Sequence, residues 1–311
     1  MHVLALVGPT AVGKSGTALA LANLLAPAAV EIINADAMQM YRGMDVGTAK
    51  APEEIRSLIP HHMLDVWPIT HRASVVDFRD AARAVINGMP AGSLPIAVGG
   101  SGLYLQALLD DLQVPATDPA VRARYEALLQ QEGAAGLHAR LRQADPAAAE
   151  RIDAANGRRL VRALEVVALT GSFTASLPRD PVPWAPTTWV GLRAPLSELD
   201  EAIGERVEEM WRTGLVEEVA VLERSGLREG PTASKAIGYA ECLAYLEGSL
   251  SRDEAIESTA RRTRQLARRQ LKWFRRDSRT TWIDVELRLG TGRAVEAAAQ
   301  QVAALLSQER R

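Results

Sequence analysis

The residues best suited to chemistry form a glycine-rich segment near the amino terminus that matches the pattern G-x-x-x-x-G-K-[ST]. It stands between a short apolar run and a helix-like run, which is the setting of a phosphate-binding loop. Glycines let backbone N–H groups turn toward one anion, the helix start adds partial positive charge, and Lys14 supplies an ammonium group. Ser15 can hold a Mg²⁺ ion that bridges two phosphate groups. The predicted diphosphate or triphosphate site consists of Gly8, Pro9, Thr10, Ala11, Val12, Gly13, Lys14 and Ser15.

The loop alone does not identify the bond that breaks, because the same donors can hold a retained nucleotide or stabilise a leaving diphosphate. Asp36 and Ser101 each follow a short apolar run, at residues 30–33 and 94–98. Reacting groups gather at the carboxyl ends of the strands in an open α/β sheet, so both side chains are candidate site residues. Two other interpretations stay open: Asp36 could orient water bound to Mg²⁺, and Ser101 could be a helix N-cap.

Short buried strands alternating with helices would position these residues. Apolar runs typical of a parallel sheet occur at 3–7, 30–33, 94–98, 188–192 and 281–285. Helices are expected at 14–25, 197–213, 215–225, 234–247 and 252–276, and from Arg293 onward.

The middle of the chain has a different texture. Residues 118–170 are rich in alanine and arginine without a strand candidate, and a connector with four prolines follows at 176–186. We therefore predict an α/β fold: a phosphate-loop, doubly wound parallel sheet core (residues 1–115 and 187–311) with an inserted all-helical domain (residues 116–186).

Composition sets limits on function. The 311-residue chain is 47% hydrophobic and 24% charged, as in a globular protein, and its net charge of −2 means that a nucleic-acid partner needs a local basic surface. The single cysteine, Cys242, excludes an internal disulfide and a cysteine-based zinc site, and we expect it to be buried. Because a secretory leader and a run of about 18 apolar residues are both lacking, we expect a cytoplasmic protein with no membrane partner. We also expect the protein to be a monomer.

A basic surface is predicted near the carboxyl terminus. Residues 258–276 contain seven arginines, one lysine and no acid. At helical spacing, Arg261, Arg264, Arg268, Lys272 and Arg275 share one face, which suits a polyphosphate backbone. The alternative is a solvated face balanced by the acidic helices at 198–218.

Five further motifs closely resemble those of the bacterial tRNA dimethylallyltransferases, also called tRNA isopentenyltransferases. They are YRGMDVGTAK at 41–50, HHMLD at 61–65, NGRRLVRALEV at 156–166, IGY at 237–239 and TRQLARRQLKWFR at 263–275. They occur in the family's order over most of the chain. The resemblance implies transfer of the five-carbon dimethylallyl group from dimethylallyl diphosphate to N6 of the adenosine immediately 3′ of the anticodon.

The resemblance also implies roles for individual residues. The loop would hold the leaving diphosphate and Ser15 its Mg²⁺, Asp36 would accept the N6 proton, and Ser101, where relatives often carry threonine, would touch the reacting centre. The helical insert would clamp the tRNA anticodon stem-loop, whose target adenine must be extruded from its stack. The implied tRNA contacts are Asp36, Ala37, Met38, Gln39, Ser101, Arg122, Arg158, Arg159, Leu160, Val161, Arg162, Arg264, Arg268 and Arg269.

Some features depart from the family or allow other functions. Ala37 stands where relatives commonly have serine, and Ala240 where a polar or basic residue often follows IGY, which puts individual RNA contacts in doubt. The alternative functions are an ATP-dependent small-molecule or nucleotide kinase, an RNA-binding nucleotide hydrolase, and prenylation of a free adenine nucleotide. Adjacent residues do not share a helix face, so His61 and His62 are expected to pack or hydrogen-bond and not to form a metal site.

Overall fold

The chain forms two compact units in this computed structural model, which describes residues 1–26, 28–173, 178 and 180–309. Residues 1–110 and 183–311 form one unit, called the core unit below, and residues 111–182 form the other, called the insert unit. The proline-rich connector expected at 176–186 lies partly outside the described residues, at 176, 177 and 179.

The core unit is built on a parallel sheet. Within the described residues its strands are β1 (Val3–Val7), β2 (Val30–Asn34), β3 (His61–His62), β4 (Leu94–Gly99), β5 (Thr187–Arg193) and β6 (Thr280–Asp284). The strand order is β3-β2-β4-β1-β5-β6, and every pair is parallel. Strand β1 lies between β4 and β5, so the chain winds outward in both directions from the strand that precedes the phosphate loop. The doubly wound parallel fold predicted from the sequence is confirmed.

The described helices follow the chain in this order: α1 (Lys14–Leu25), α2 (Glu53–Leu58), α3 (Val75–Asn87), α4 (Gly102–Leu109), α5 (Pro119–Ala144), α6 (Pro146–Arg151), α7 (Gly157–Thr170), α8 (Leu196–Arg212), α9 (Leu215–Arg224), α10 (Tyr239–Leu246), α11 (Arg252–Phe274) and α12 (Thr291–Glu309).

Side chains of β1 alternate between two buried layers. Leu4 and Leu6 point into a cluster formed with α1 and α12, whereas Val3, Ala5 and Val7 point into a cluster formed with α3 and α4. Burial on both faces explains why the strand reads as one continuous apolar run. The residues that follow Val7 lie at the carboxyl edge of the sheet, because β1 ends there.

Two expected elements differ from the structure. The helix predicted at 234–247 is broken: a short 3₁₀ turn occupies Ala233–Lys235, and α10 begins only at Tyr239. Gly238 separates them with φ of +90°, a left-handed conformation that glycine adopts without steric cost. His61 and His62 were not predicted as a strand, but they pair with Ile32 and Ile33 of β2.

The insert unit has its own core. Helices α5, α6 and α7 bury Leu137, Leu141 and Ile152 against Leu160 and Leu164. Asn156 caps α7, since its Oδ1 accepts a hydrogen bond from the backbone N–H of Arg159 (3.1 Å).

The single cysteine has the surroundings expected from the sequence. The Cys242 thiol is free and buried in α10, as expected, and its burial raises its pKa to about 12. In the described part of the chain, no helix combines the length and apolar character needed to cross a membrane.

Candidate active site

The predicted phosphate loop has a backbone shape suited to an anion. Its φ angles are positive at Gly8 (147°), Ala11 (65°) and Gly13 (93°), and α1 begins directly after Gly13. At Gly8 a Cβ atom would lie 2.5 Å from the carbonyl oxygen of Leu192 in β5, so this position requires glycine. The loop thus curves over the start of α1, with the helix dipole behind it.

Lys14 closes this loop. Its Nζ donates a hydrogen bond to the Pro9 carbonyl (2.7 Å) and lines a cavity of about 360 Å³ together with Ser15. Burial lowers the pKa of Lys14 to about 8; the charge of Asp36 opposes this shift, and that of Arg206 adds to it. The bare loop therefore holds its lysine partly desolvated, a cost that a bound anion would offset.

Asp36 is fixed in a tight turn after β2. Its Oδ1 accepts the backbone N–H of Met38 (2.9 Å), and its own N–H donates to Oδ1 of Asn34 (3.0 Å). The Asn34 amide donates in turn to the carbonyls of Asp36 and Met63 (both 3.0 Å), which anchors the turn. Among the described residues no group hydrogen-bonds to Oδ2 of Asp36, and the side chain lines the cavity beside Lys14.

A second cavity, of about 520 Å³, adjoins the first and shares part of its wall. Its wall combines Ser101 with apolar side chains from α8 and α11, such as Val207 and Leu266. Ser101 occupies the N-cap position of α4, but its side chain makes no capping hydrogen bond, so its hydroxyl is available to a ligand. The residues that line both cavities are Thr10, Ala11, Asp36, Thr48, Gly100 and Arg206.

Two residues of this site were missed from the sequence. Arg206 of α8 donates to the Thr10 hydroxyl (3.4 Å), and burial lowers its pKa although the charge of Asp36 raises it. Gln270 of α11 accepts a hydrogen bond from the backbone N–H of Thr10 (2.8 Å). Arg206 could have been recognised because it stands between Ile203 and Val207, which lie on the buried face of α8. Gln270 stood within a motif interpreted only as a basic helix.

Residues 41–50, which carry the YRGMDVGTAK motif, form part of the cavity wall. Lys50 ties this segment together: its side chain is 1% exposed, and Nζ lies 2.6 Å from carboxylate oxygens of both Asp45 and Asp65. Gln39 is held to the same segment, since its amide donates to the Thr48 carbonyl (3.0 Å). The motif thus owes much of its pattern to packing around the site.

A carboxylate from α9 holds the same segment from outside. Glu218 accepts the backbone N–H groups of Asp45 (3.0 Å), Val46 (2.7 Å) and Gly47 (3.3 Å), and also the Tyr239 hydroxyl. A Cβ atom at Gly47 would lie 2.5 Å from the Tyr239 ring, so the IGY motif supports the segment by close packing.

The two histidines have ordinary partners. His61 bonds through Nδ1 to the Ile59 carbonyl (2.7 Å), and His62 through Nε2 to Glu31 (2.7 Å). This confirms the expected hydrogen-bonding role. The described residues contain no group of three histidine, cysteine or acidic side chains able to hold a metal ion.

The arginines of α11 differ in their surroundings. Arg268 is exposed but forms two hydrogen bonds with the Asp200 carboxylate of α8 (2.9 and 2.7 Å), and Arg264 donates to the Asp200 carbonyl (3.3 Å). Arg269 is exposed, lines the second cavity, and has no acidic partner among the described residues. The structure therefore pairs part of the basic face with an acidic helix, the alternative raised from the sequence, and leaves Arg269 available.

The predicted RNA contacts of the insert unit also fall into distinct classes. Arg158 and Arg159 are exposed, whereas Leu160 and Val161 are buried in the core of that unit, so their side chains are not accessible to a partner. Glu165, with a 0% exposed side chain, binds Arg122 and Arg162 (both 2.8 Å). These two arginines neutralise a buried acid.

That acid has a strongly altered ionisation. Burial raises the pKa of Glu165, but hydrogen bonds from Thr117, Arg162 and Arg122 outweigh it and lower the pKa to about 2. The carboxylate is therefore charged at neutral pH, and Arg122 of α5 is held to α7 through it.

The chain is similar in sequence to known proteins over most of its length. The family model described as IPP transferase matches residues 39–277. The chain is 55% identical over 285 residues to the tRNA dimethylallyltransferase of Thermobifida fusca, covering 90% of this chain and 89% of that protein. It is 50% identical over 297 residues to that of Salinispora tropica, covering 95% and 91%.

Solved structures show the same similarity. The tRNA isopentenylpyrophosphate transferase of Bacillus halodurans aligns with a TM-score of 0.67 and 36% identity, over 100% of this chain and 99% of that one. A eukaryotic dimethylallyltransferase acting on tRNA aligns with a TM-score of 0.73 and 26% identity, over 91% of this chain and 73% of that one.

Proposed function

Because this chain belongs to the IPP transferase family, we propose that it transfers the dimethylallyl group of dimethylallyl diphosphate to N6 of the adenosine immediately 3′ of the tRNA anticodon. The carbon–oxygen bond to the diphosphate breaks, the diphosphate leaves with the electron pair, and a bond forms between that carbon and N6. One N6 proton passes to a base. The observation that carries this proposal is that Asp36 and Arg206 line both cavities.

The first cavity suits the leaving diphosphate. The curved loop from Gly8 to Ser15 offers backbone N–H groups at the start of α1, and Lys14 and Arg206 add side-chain cations. Positive groups placed before the reaction stabilise the charge that develops on departing oxygens without further reorganisation. The family of the chain, and not the loop itself, favours carbon–oxygen bond cleavage here over phosphoryl transfer.

The second cavity suits the adenine. Asp36 is held through Oδ1, which leaves Oδ2 to accept the N6 proton at the junction with the first cavity. The amino group of adenine is a weak nucleophile, so a positioned acceptor assists as its N–H becomes acidic during attack. Ser101 lies on the same wall and would contact the reacting centre through its free hydroxyl.

The residues present fit a Mg²⁺ ion bound together with the diphosphate. Mg²⁺ is usually held by one or two protein oxygens plus substrate phosphates, and the exposed Ser15 hydroxyl and the Asp36 carboxylate line the same cavity. When bound there, Mg²⁺ supplies positive charge to the leaving group. Ser15 would be its direct protein ligand.

The RNA partner we propose is the anticodon stem-loop. Arg269, which lines the second cavity, presents an exposed cation to phosphates, and Arg158 and Arg159 are exposed cations on the insert unit. Ala37, Met38 and Gln39, next to Asp36, would meet the extruded nucleotide, Ala37 only through its backbone and methyl group. The insert unit would act as a clamp on the stem-loop, in which the ion pair between Arg122 and Glu165 joins α5 to α7.

The test is a partition experiment with labelled dimethylallyl diphosphate. The enzyme is incubated with anticodon stem-loop RNA, with AMP, and with ATP labelled in its γ-phosphate. We expect label in the RNA, little in AMP, and no γ-phosphate transfer. Asp36→Asn is the matched control, because it should bind pyrophosphate without labelling RNA. Rapid ATP cleavage with unlabelled RNA would overturn the proposal.

A further inference from the structure

Gln270 is a polar side chain in the wall of the second cavity, and the proposed reaction has so far given its amide nitrogen no role. It lies on α11, is 7% exposed, and lines the same cavity as Asp36 and Ser101. It does not line the cavity that contains Lys14 and Ser15. Its surroundings therefore point to the part of the site proposed for adenine.

The orientation of this amide is determined by a backbone donor. The Thr10 N–H donates at 2.8 Å, so the amide atom facing it must be the oxygen, because an NH₂ group there would place two donors together. The nitrogen is consequently turned away from Thr10. It lies beside Gly100, where a Cβ atom would come within 2.2 Å of it.

The nitrogen of this amide lacks a hydrogen-bond acceptor. Among the described residues no oxygen or nitrogen accepts from Nε2 of Gln270, and the atom is not sealed from solvent. A largely buried amide with an unused donor is costly unless a ligand supplies the acceptor. Glycine at position 100 leaves room for this amide, and a ligand in the second cavity, which Gln270 lines, can supply the acceptor.

Adenine offers the matching pattern. Its N6 amino group donates hydrogen bonds, and a ring nitrogen on either side of that group, N1 or N7, accepts one. An acceptor at Asp36 and a donor at Gln270 complement an amine next to a ring nitrogen. Guanine presents a carbonyl oxygen where adenine has N6, so it would place an acceptor against the Asp36 carboxylate.

We propose that Gln270 is a specificity-determining residue whose Nε2 donates a hydrogen bond to a ring nitrogen of the target adenine, while its Oε1 holds the phosphate loop at Thr10. This inference rests on the proposed function and names how that site selects its base. The side chain thereby sets the position of N6 relative to the diphosphate, because one amide contacts both the loop and the base.

The decisive experiment changes the base and the enzyme separately. Stem-loop RNAs carry adenosine, 1-deazaadenosine or 7-deazaadenosine at the target position, each with N6 intact. Single-turnover transfer is measured with the wild type, with Gln270→Met, which has a similar shape but no donor, and with Gln270→Glu, which keeps an acceptor for Thr10. Gln265→Met, on an exposed position of the same helix, is the matched control.

In the wild type and in Gln265→Met, we expect one of the two deaza substrates to react about tenfold to a hundredfold more slowly than adenosine, the effect of one lost hydrogen bond in a buried site. In Gln270→Met and Gln270→Glu that difference should disappear. The double-mutant comparison cancels the intrinsic reactivity of each modified base.

The inference is overturned if the wild type discriminates against neither deaza substrate, or if both Gln270 variants discriminate as the wild type does. The wild-type comparison stands even if a variant does not fold. Failure of the proposed function gives a different result, in which the wild type does not alkylate adenosine RNA at all.

Discussion

Lys14 makes the affinity of the loop for diphosphate depend on pH. Its pKa is about 8 in the bare loop, and a bound diphosphate raises that pKa by adding negative charge beside it. The affinity for diphosphate is therefore highest below the pKa of Lys14 in the free loop. It falls as pH rises through that value toward the pKa of Lys14 in the complex. Between about pH 7 and about pH 9 the ammonium fraction falls from about nine-tenths to about one-tenth, so Kd should rise about tenfold, or about 1.4 kcal/mol.

The assay is calorimetric titration with pyrophosphate over this pH range, in two buffers of different ionisation enthalpy to count protons taken up. Lys14→Arg is the control, because its guanidinium keeps its charge and the ionisation of pyrophosphate itself affects both proteins equally. We expect the wild type to lose about tenfold more affinity than Lys14→Arg, with close to one proton taken up at the upper end. Parallel pH profiles for the two proteins would refute the assignment of Lys14 as the titrating group.

Three further predictions concern single side chains. Asp36→Asn should lower kcat for RNA alkylation by about 10²–10⁴-fold in single-turnover assays while pyrophosphate still binds; near-normal turnover would remove Asp36 as the base. Glu165→Gln should lower the free energy of unfolding of the insert unit by about 3 kcal/mol in urea, because it removes the buried charge that two half-buried arginines bind. The pKa of Glu165 is lowered from 4.5 to about 2, so the difference in unfolding free energy between the wild type and Glu165→Gln should shrink as pH falls through that range. A difference that does not depend on pH would contradict the role of the ionised Glu165 carboxylate. Arg269→Ala should weaken RNA binding and reduce the salt slope by about one, more than Arg268→Ala, whose guanidinium already binds Asp200; equal effects would show that this pairing is unimportant.

Local patterns were sufficient to predict much of this molecule. The phosphate loop and the strand before it are encoded in consecutive residues, and glycine at position 8 is required by contact with the neighbouring strand. Asp36 was found because it follows a buried strand, and the carboxyl ends of parallel strands face one edge of the sheet. The parallel sheet itself was predicted from short apolar runs that are buried on both faces.

Residues that reach the site from distant elements could not be identified in the same way. Thr10 meets Arg206 and Gln270, which lie 196 and 260 positions away, and no local pattern encodes such separations. The charge pattern of α11 indicated a basic stripe, but not that Asp200 on another helix binds Arg268. Helical propensity around residue 238 was outweighed by the left-handed conformation of a single glycine.

The most direct test of the account is to locate the five-carbon group after a single turnover. Anticodon stem-loop RNA with adenosine or inosine at the target position is incubated with dimethylallyl diphosphate, digested to nucleosides and analysed by mass spectrometry, while released diphosphate is quantified. The account predicts one dimethylallyl group on N6 of the target adenosine for each diphosphate released, and none on inosine, which lacks the amine. Diphosphate release without alkylation, or equal alkylation of inosine RNA, would contradict the claim that the adenine amine displaces the diphosphate where the two cavities meet.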